Sequence, residues 1–124
     1  MKFILLLTLV ISSLSVSAAD LPKKSQQEIS HLIHYLEVSG CRFNRNGTWY
    51  TSAEAVKHIN KKYEYLLDKK IVSSAEVFIE KAASESSMSG KPYLVQCGET
   101  QAQPSAKWFT SELESYRKKA GETQ

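Results

Sequence analysis

The chain has little of what usually gives a function away. It holds only two cysteines, Cys41 and Cys97, and they stand far apart. A metal site asks for several ligands at short spacing, and a redox pair usually reads Cys-x-x-Cys, so neither chemistry is suggested. No charge of one sign dominates. Lys and Arg number 16 against 13 Asp and Glu, a net charge of +3, which falls to +2 if Lys2 is removed with a leader. That balance argues against nucleic acid or an acidic membrane surface as a partner. There are no internal repeats. After the first 20 residues no apolar run is long enough to cross a bilayer. The signatures of hydrolases, kinases, phosphate loops and zinc proteases are missing. "SGKP" (89–92) contains Gly-Lys, but lacks the earlier glycine and the following Ser or Thr of a phosphate loop.

The most legible segment is the start, MKFILLLTLVISSLSVSAAD. Lys2 supplies a charged beginning, and Phe3 to Ile11 is apolar apart from Thr8. Small residues then occupy the positions a signal peptidase reads, so residues 1–19 read as a cleavable signal peptide, cut after Ala18 or Ala19. The apolar stretch is too short for a transmembrane anchor, and no cysteine marks a lipoprotein. Residues 20–124 are then one small exported domain, expected in the periplasm, with room for one modest core. In that compartment an isolated cysteine pair reads first as a disulfide, Cys41 to Cys97.

The mature part is expected to be α+β, with about four helices packed on a small antiparallel sheet of no more than three strands. A first helix should start near Ser25, with Ile29, Leu32, Ile33 and Leu36 inward and His31 and His34 on the solvated face. Gly40 should stop it. In CRFNRNGTWY (41–50) the Asn46-Gly47 pair between short apolar runs signals a hairpin. Thr51 and Glu54 form a capping box for a second helix, whose inner stripe is Val56, Ile59, Tyr63, Leu66 and Leu67. Ser73 with Glu76 should open a third helix, carrying Phe78 and Ile79 inward. Tyr93 to Cys97 reads as a strand, and Gly98 to Pro104 as loop. Ser105 should cap a last helix on Trp108, Phe109, Leu113 and Tyr116, with Gly121 to Gln124 as a frayed tail.

A disulfide between opposed residues of antiparallel strands would set a register in which Phe43 faces Val95 and Arg45 faces Tyr93. The turn at Arg45 to Gly47 would then lie beside Ser89, Gly90 and Lys91. The candidate binding residues on that ground are Arg45, Asn46, His58, Ser87, Ser89, Lys91 and Tyr93. Arginine, hydroxyls and backbone N–H groups together can hold a carboxylate, a phosphate or a sugar. The plain alternative is two polar loops that meet only because loops lie at the surface. His58 follows Glu54 by one turn, so that carboxylate could orient its ring. A hydrogen bond to the hairpin is the structural alternative. Ser86, Ser87 or Ser89 could act as a nucleophile only if His58 came within reach as a base. His31 and His34 have a metal-like spacing but no third ligand nearby, and no metal or cofactor is expected.

The segments "RNG" (45–47), "EAVKHINKK" (54–62), "SAEVFIEKAASESS" (74–87) and "SGKPY" (89–93) resemble the YfeK-like family of small exported bacterial proteins, a domain of unknown function. The resemblance spans residues 25–117. It implies a bacterial periplasmic protein and no particular activity. It also implies that the disulfide is a local reinforcement, because some relatives lack the pair. "SGKPY" also resembles the Ser-Gly-x-x-Tyr loop of periplasmic lysozyme inhibitors. That likeness would make Ser89 and Tyr93 the ends of a loop entering a lysozyme cleft, with Lys91 or Arg45 meeting a carboxylate. Those inhibitors are mostly β-sheet, whereas this chain reads mostly helical. The readings in play are a non-catalytic binding module of the cell envelope, taking an envelope protein or a small anionic or glycan ligand; a lysozyme-inhibitor-like binder; and a small hydrolase using a serine with His58.

Overall fold

A computed structural model describes residues 21–122. The proposed leader lies outside the described residues. Chain order is α1 (Lys23–Val38), β1 (Arg42–Arg45), β2 (Thr48–Tyr50), α2 (Ser52–Asp68), α3 (Ala75–Ala82), β3 (Leu94–Gln96), β4 (Gln103–Pro104) and α4 (Ser105–Glu122). The class is α+β, with four helices and one antiparallel sheet in the order β2-β1-β3-β4.

The sheet has four strands rather than three at most. The addition is β4, from the segment read as loop, pairing Leu94 with Pro104 and Val95 with Gln103. Two residues are too few to show an alternating pattern. Pro104 is tolerated because β4 is an edge strand, where a missing N–H costs no ladder bond.

Local chemistry starts and stops the helices. Gly40, at φ +68°, follows α1, a conformation that glycine reaches without strain. Thr51 Oγ1 accepts from the Glu54 N–H at 3.2 Å and caps α2. The cap of α3 is Ser74, whose Oγ accepts from Val77 N–H at 3.1 Å, and not Ser73. The two serines are equivalent in a motif, but only Ser74 has extended backbone next to the first helical residue. Ser105 does not cap α4. It is fully buried, and its Oγ donates to the Ala83 carbonyl at 2.5 Å, tying the start of α4 to the end of α3. Helix α4 continues through Gly121 to Glu122, past the expected start of fraying.

The core lies where the helices meet the inner face of the sheet. Ile29, Leu32, Leu36, Ile59, Phe78, Val95, Phe109 and Leu113 are buried. Tyr63 is partly buried, edge-on to Phe78 at 5.3 Å between ring centroids. Leu67 is 38% exposed, because Leu66 takes the inward position of that turn and is 7% exposed. Helix α1 packs against all three other helices, which overturns the solvated placement of His31. Its Nε2 lies 2.8 Å from Glu112 Oε1, and its ring stacks on Tyr116 at 4.2 Å. His34 is exposed. Glu28, also on α1, is buried at 3% exposure and grips Arg117 of α4 through both oxygens, at 2.6 and 3.1 Å. Arg117 also donates to Glu76 of α3, so one guanidinium joins three helices.

Cys41 and Cys97 are bonded, with Cα atoms 4.3 Å apart. The register is Arg42 opposite Gln96, Phe43 opposite Val95 and Asn44 opposite Leu94. Arg45 pairs with Thr48 across the β1–β2 turn, where Asn46 and Gly47 have φ of +52° and +83°. Both values are positive, as the mirror-image two-residue turn requires. The bond links residues 56 apart in sequence. Closing such a loop stabilises the fold by about 4 kcal/mol on the chain-entropy account. Reduction, or the Cys41→Ala/Cys97→Ala pair, should therefore lower the melting temperature by on the order of 20 °C. Below the transition, far-UV circular dichroism should keep its helical signal, since no helix depends on the bond for its own hydrogen bonds.

Candidate functional site

The β1–β2 turn, the middle of α2 and the segment 84–93 meet at one end of the sheet. The contact is built by short polar side chains. Asn46 Nδ2 donates to Ser86 Oγ at 3.2 Å, and Ser89 Oγ donates to Asn46 Oδ1 at 2.6 Å. Ser86 is buried, and its Oγ also accepts from the backbone N–H groups of Met88 and Ser89, both at 3.3 Å. The serine run is thus a folded turn: Gly90 N–H closes it on the Ser86 carbonyl at 2.9 Å. Ser86, a candidate nucleophile by residue type, is the post around which this turn is wound.

Arg45 does not reach toward residues 89–91. Its guanidinium lies 5.0 Å from the Tyr50 ring centroid, and Nη1 sits 2.6 Å from His58 Nδ1 on α2. Nη2 donates to Tyr50 Oη at 3.4 Å. The register does bring the backbone of β1 alongside β3. The side chain of Arg45, however, follows the face of the sheet that α2 covers. Lys91 is exposed and joins the serine turn through its backbone, its carbonyl accepting from Ser86 N–H at 3.0 Å and its N–H donating to Ser89 Oγ at 3.2 Å. Nor does Glu54 orient His58, whose ring is held by Arg45 and Tyr93.

The protonation of His58 follows from these partners. An arginine N–H can only donate, and Arg45 Nη1 lies nearer Nδ1, at 2.6 Å, than Nε2, at 3.3 Å, which favours the tautomer with Nδ1 as acceptor and the ring proton on Nε2. Nε2–H then donates to Tyr93 Oη at 2.9 Å. Lys62, one turn further along α2, donates to the same oxygen at 3.2 Å and to the Glu85 carbonyl at 2.9 Å. Its ammonium also lies 5.1 Å from the Tyr93 ring centroid. Both lone pairs of the Tyr93 oxygen are then occupied, and its own proton has no acceptor among the described residues.

Tyr93 is 1% exposed and stacked at a tilt on Phe43, with centroids 5.0 Å apart. Burial raises the pKa of its phenol; the Arg45 charge opposes the rise and Glu85 adds to it. Within SGKPY, Ser89 to Pro92 are exposed, and only Tyr93, at the end of the segment, is enclosed. Neither ring nitrogen of His58 bonds a serine. The nearest base–nucleophile pairing imagined from sequence is therefore not formed among the described residues.

Electrostatics sets this cluster apart. Burial lowers the pKa of His58 to about 4, and the charges of Arg45, Lys62 and Lys61 add to the shift. Burial also lowers that of Lys62; Glu85 opposes this and Arg45 reinforces it. A cleft of about 420 Å³ opens over the cluster, reached from Arg45, Asn46, Lys62, Ser86, Ser87 and Tyr93. Among the described residues no carboxylate lines it. Lys62 and Tyr50 are the residues that sequence reasoning missed. Lys62 had a signal in its place one turn after His58, but half of a Lys61-Lys62 pair reads as solvated surface. Among the described residues no group of three or more His, Cys, Asp or Glu side chains is arranged to hold a metal ion.

The His58 shift gives a pH test. The folded pKa, about 4, lies below the ordinary value of about 6.5, so the unfolded chain binds the extra proton first. The contribution of neutral His58 is complete above about pH 6.5 and is lost as pH falls toward 4. The loss is on the order of 1–2 kcal/mol once the partial exposure of the ring is allowed for. Urea melts at pH 7, 6, 5 and 4 should show that decline, and His58→Gln should flatten it. An equal slope in the variant would assign the decline to other groups.

No curated protein and no solved structure matches the chain. A protein-family model does match, over residues 23–117, from the first turn of α1 to the arginine that joins α1, α3 and α4. The chain belongs to that family, DUF5329, a family of unknown function.

Proposed function

We propose that the protein is a non-catalytic binding module of the bacterial cell envelope that accepts an anionic group, of a small molecule or an acidic glycan, in the cleft above Tyr93. The observation that carries this reading is the crowding of Arg45, His58 and Lys62 beside a cleft lined by no carboxylate among the described residues. Like charges held together in a partly buried place lower one another's affinity for protons. An anion in the cleft relieves that repulsion and takes charge-assisted hydrogen bonds from arginine and lysine, among the stronger polar contacts available to a protein. The unspent Tyr93 proton and the Asn46 and Ser87 side chains add neutral donors. Export is supported by the apolar leader with small residues at 18 and 19 and by the resemblance to the YfeK-like exported proteins. No described helix is long and apolar enough to cross a membrane.

Titration of the oxidised protein with sodium phosphate tests the binding. Amide signals of Asn46, Ser86, Ser87 and Tyr93 should move saturably in heteronuclear NMR spectra, and the pKa of His58 should rise on binding. Arg45→Ala and Lys62→Met should each weaken binding by about tenfold, the scale of one charge-assisted hydrogen bond. Lys91→Met should leave it unchanged. Shifts that never saturate, or that survive both substitutions, would overturn the assignment. For export, expression of the full chain in a Gram-negative host should yield periplasmic protein beginning at Ala19 or Asp20, read by intact mass. Uncleaved protein in the cytoplasm would remove the envelope from the proposal.

A further inference from the structure

A second cavity lies on the other side of the wall made by Arg45, Tyr50 and His58. It measures about 170 Å³, and the remaining residues around it are Phe43, Ala55 and Glu54. Its character is opposite to that of the cleft. Phe43 and Ala55 are buried core residues at 1% and 2% exposure, so the cavity reaches down to the hydrophobic core between β1 and the first turns of α2. The Tyr50 ring faces Arg45 at 5.0 Å and gives the wall an aromatic surface. The polar groups that the cavity shares with the cleft are already committed to each other: Arg45 to His58 and Tyr50, and His58 to Tyr93. Glu54 is exposed and, among the described residues, supplies the only carboxylate lining the cavity.

Two adjoining spaces of unlike polarity, divided by one arginine, describe a ligand with two unlike parts. We propose that the anion accepted beside Arg45 carries an apolar group about the size of one six-membered ring, which occupies the cavity over Phe43 and Ala55. The inference rests on the anion-binding reading above and names the class of ligand: a small organic anion, not an inorganic one. Size supports it, since an apolar cavity of about 150 Å³ is enough to hold benzene. Orientation follows from charge. Glu54 repels an anion from the apolar side, while Lys62 and the Tyr93 hydroxyl attract it to the other. Arg45 serves both ends: a guanidinium carries five N–H groups, so those not engaged by His58 and Tyr50 can donate to the anion, while its Cζ lies 5.0 Å from the Tyr50 ring centroid.

Phenyl phosphate and inorganic phosphate, compared by calorimetry on the oxidised protein, test this. Burying one methylene-sized group tightens binding by up to about fourfold, so a partly buried ring should make phenyl phosphate at least about tenfold tighter. Ala55→Leu fills the cavity and should erase that advantage while leaving inorganic phosphate unchanged. A measurement on the unaltered protein stands beside it: nuclear Overhauser contacts from the phenyl protons to the Ala55 methyl and the Phe43 ring. If phosphate binds and phenyl phosphate is no tighter, or is tighter without those contacts, the apolar subsite is wrong and the anion site stands. If neither compound binds, the anion reading falls and takes this inference with it.

Discussion

The pairing of β1 with β3 is the constraint on which the rest depends. The two strands are separated by both central helices in sequence, yet they hydrogen-bond side by side with Phe43 against Val95. The Cys41–Cys97 bond clamps the same pair just beyond one end, next to Arg42 and Gln96. A slip of one residue would turn Phe43 and Val95 from the core to the outside, because side chains alternate faces along a strand. It would also carry the β1–β2 turn away from the serine segment, which it meets through Asn46, Ser86 and Ser89. Strand β3 then passes the constraint on. The Tyr93 N–H bonds the Ser84 carbonyl and the Tyr93 carbonyl accepts from Ser105 N–H, so one residue ties the exit of α3 to the entry of α4.

Buried polar contacts do much of the positioning elsewhere. Ser52 Oγ donates to the Cys41 carbonyl at 2.6 Å, joining the start of α2 to the start of β1. Ser105 joins α4 to α3 in the same manner. The Glu28–Arg117–Glu76 group links three helices, and between α1 and α4 it adds to the His31–Glu112 hydrogen bond and the His31–Tyr116 ring contact. Such an ion group adds little net stability when one partner is buried, because desolvation offsets the attraction. Its geometric effect is larger: a two-pronged guanidinium–carboxylate contact permits one relative placement of α1 and α4. Each of these contacts is fully satisfied, and no buried side-chain nitrogen or oxygen among the described residues lacks a partner.

The cluster around His58 follows a different rule. Elsewhere a buried charge meets its opposite, but here Arg45 and Lys62 are held close to a neutral imidazole whose protonation they suppress. The arrangement persists because each cation is solvated by protein dipoles: Arg45 by imidazole and phenol, Lys62 by a carbonyl and a phenol. Cation–ring contacts with Tyr50 and Tyr93 assist.

Much of the architecture was readable from residue order. The 3.6-residue spacing of Ile29, Leu32 and Leu36, the Thr51–Glu54 box and the positions of glycine mark helices because those signals act over one or two turns. The cysteine pair even sets a strand register, since a covalent bond between two positions is long-range information written in the sequence. What remained illegible depends on through-space neighbours. Strand β4 exists only because β3 offers it an edge. Ser105 is buried only because α3 ends beside it, and His31 leaves the solvated face only because α4 packs there. The direction of Arg45 is of the same kind. The register places its backbone beside Tyr93, but its side chain goes where imidazole and phenol together outbid the loop, and those groups come from α2 and β2. Whether a lysine on α2 is surface or cleft wall is decided by what lies across from it. That is a property of the folded chain alone, because electrostatic and desolvation energies depend on distances through space and not along the sequence.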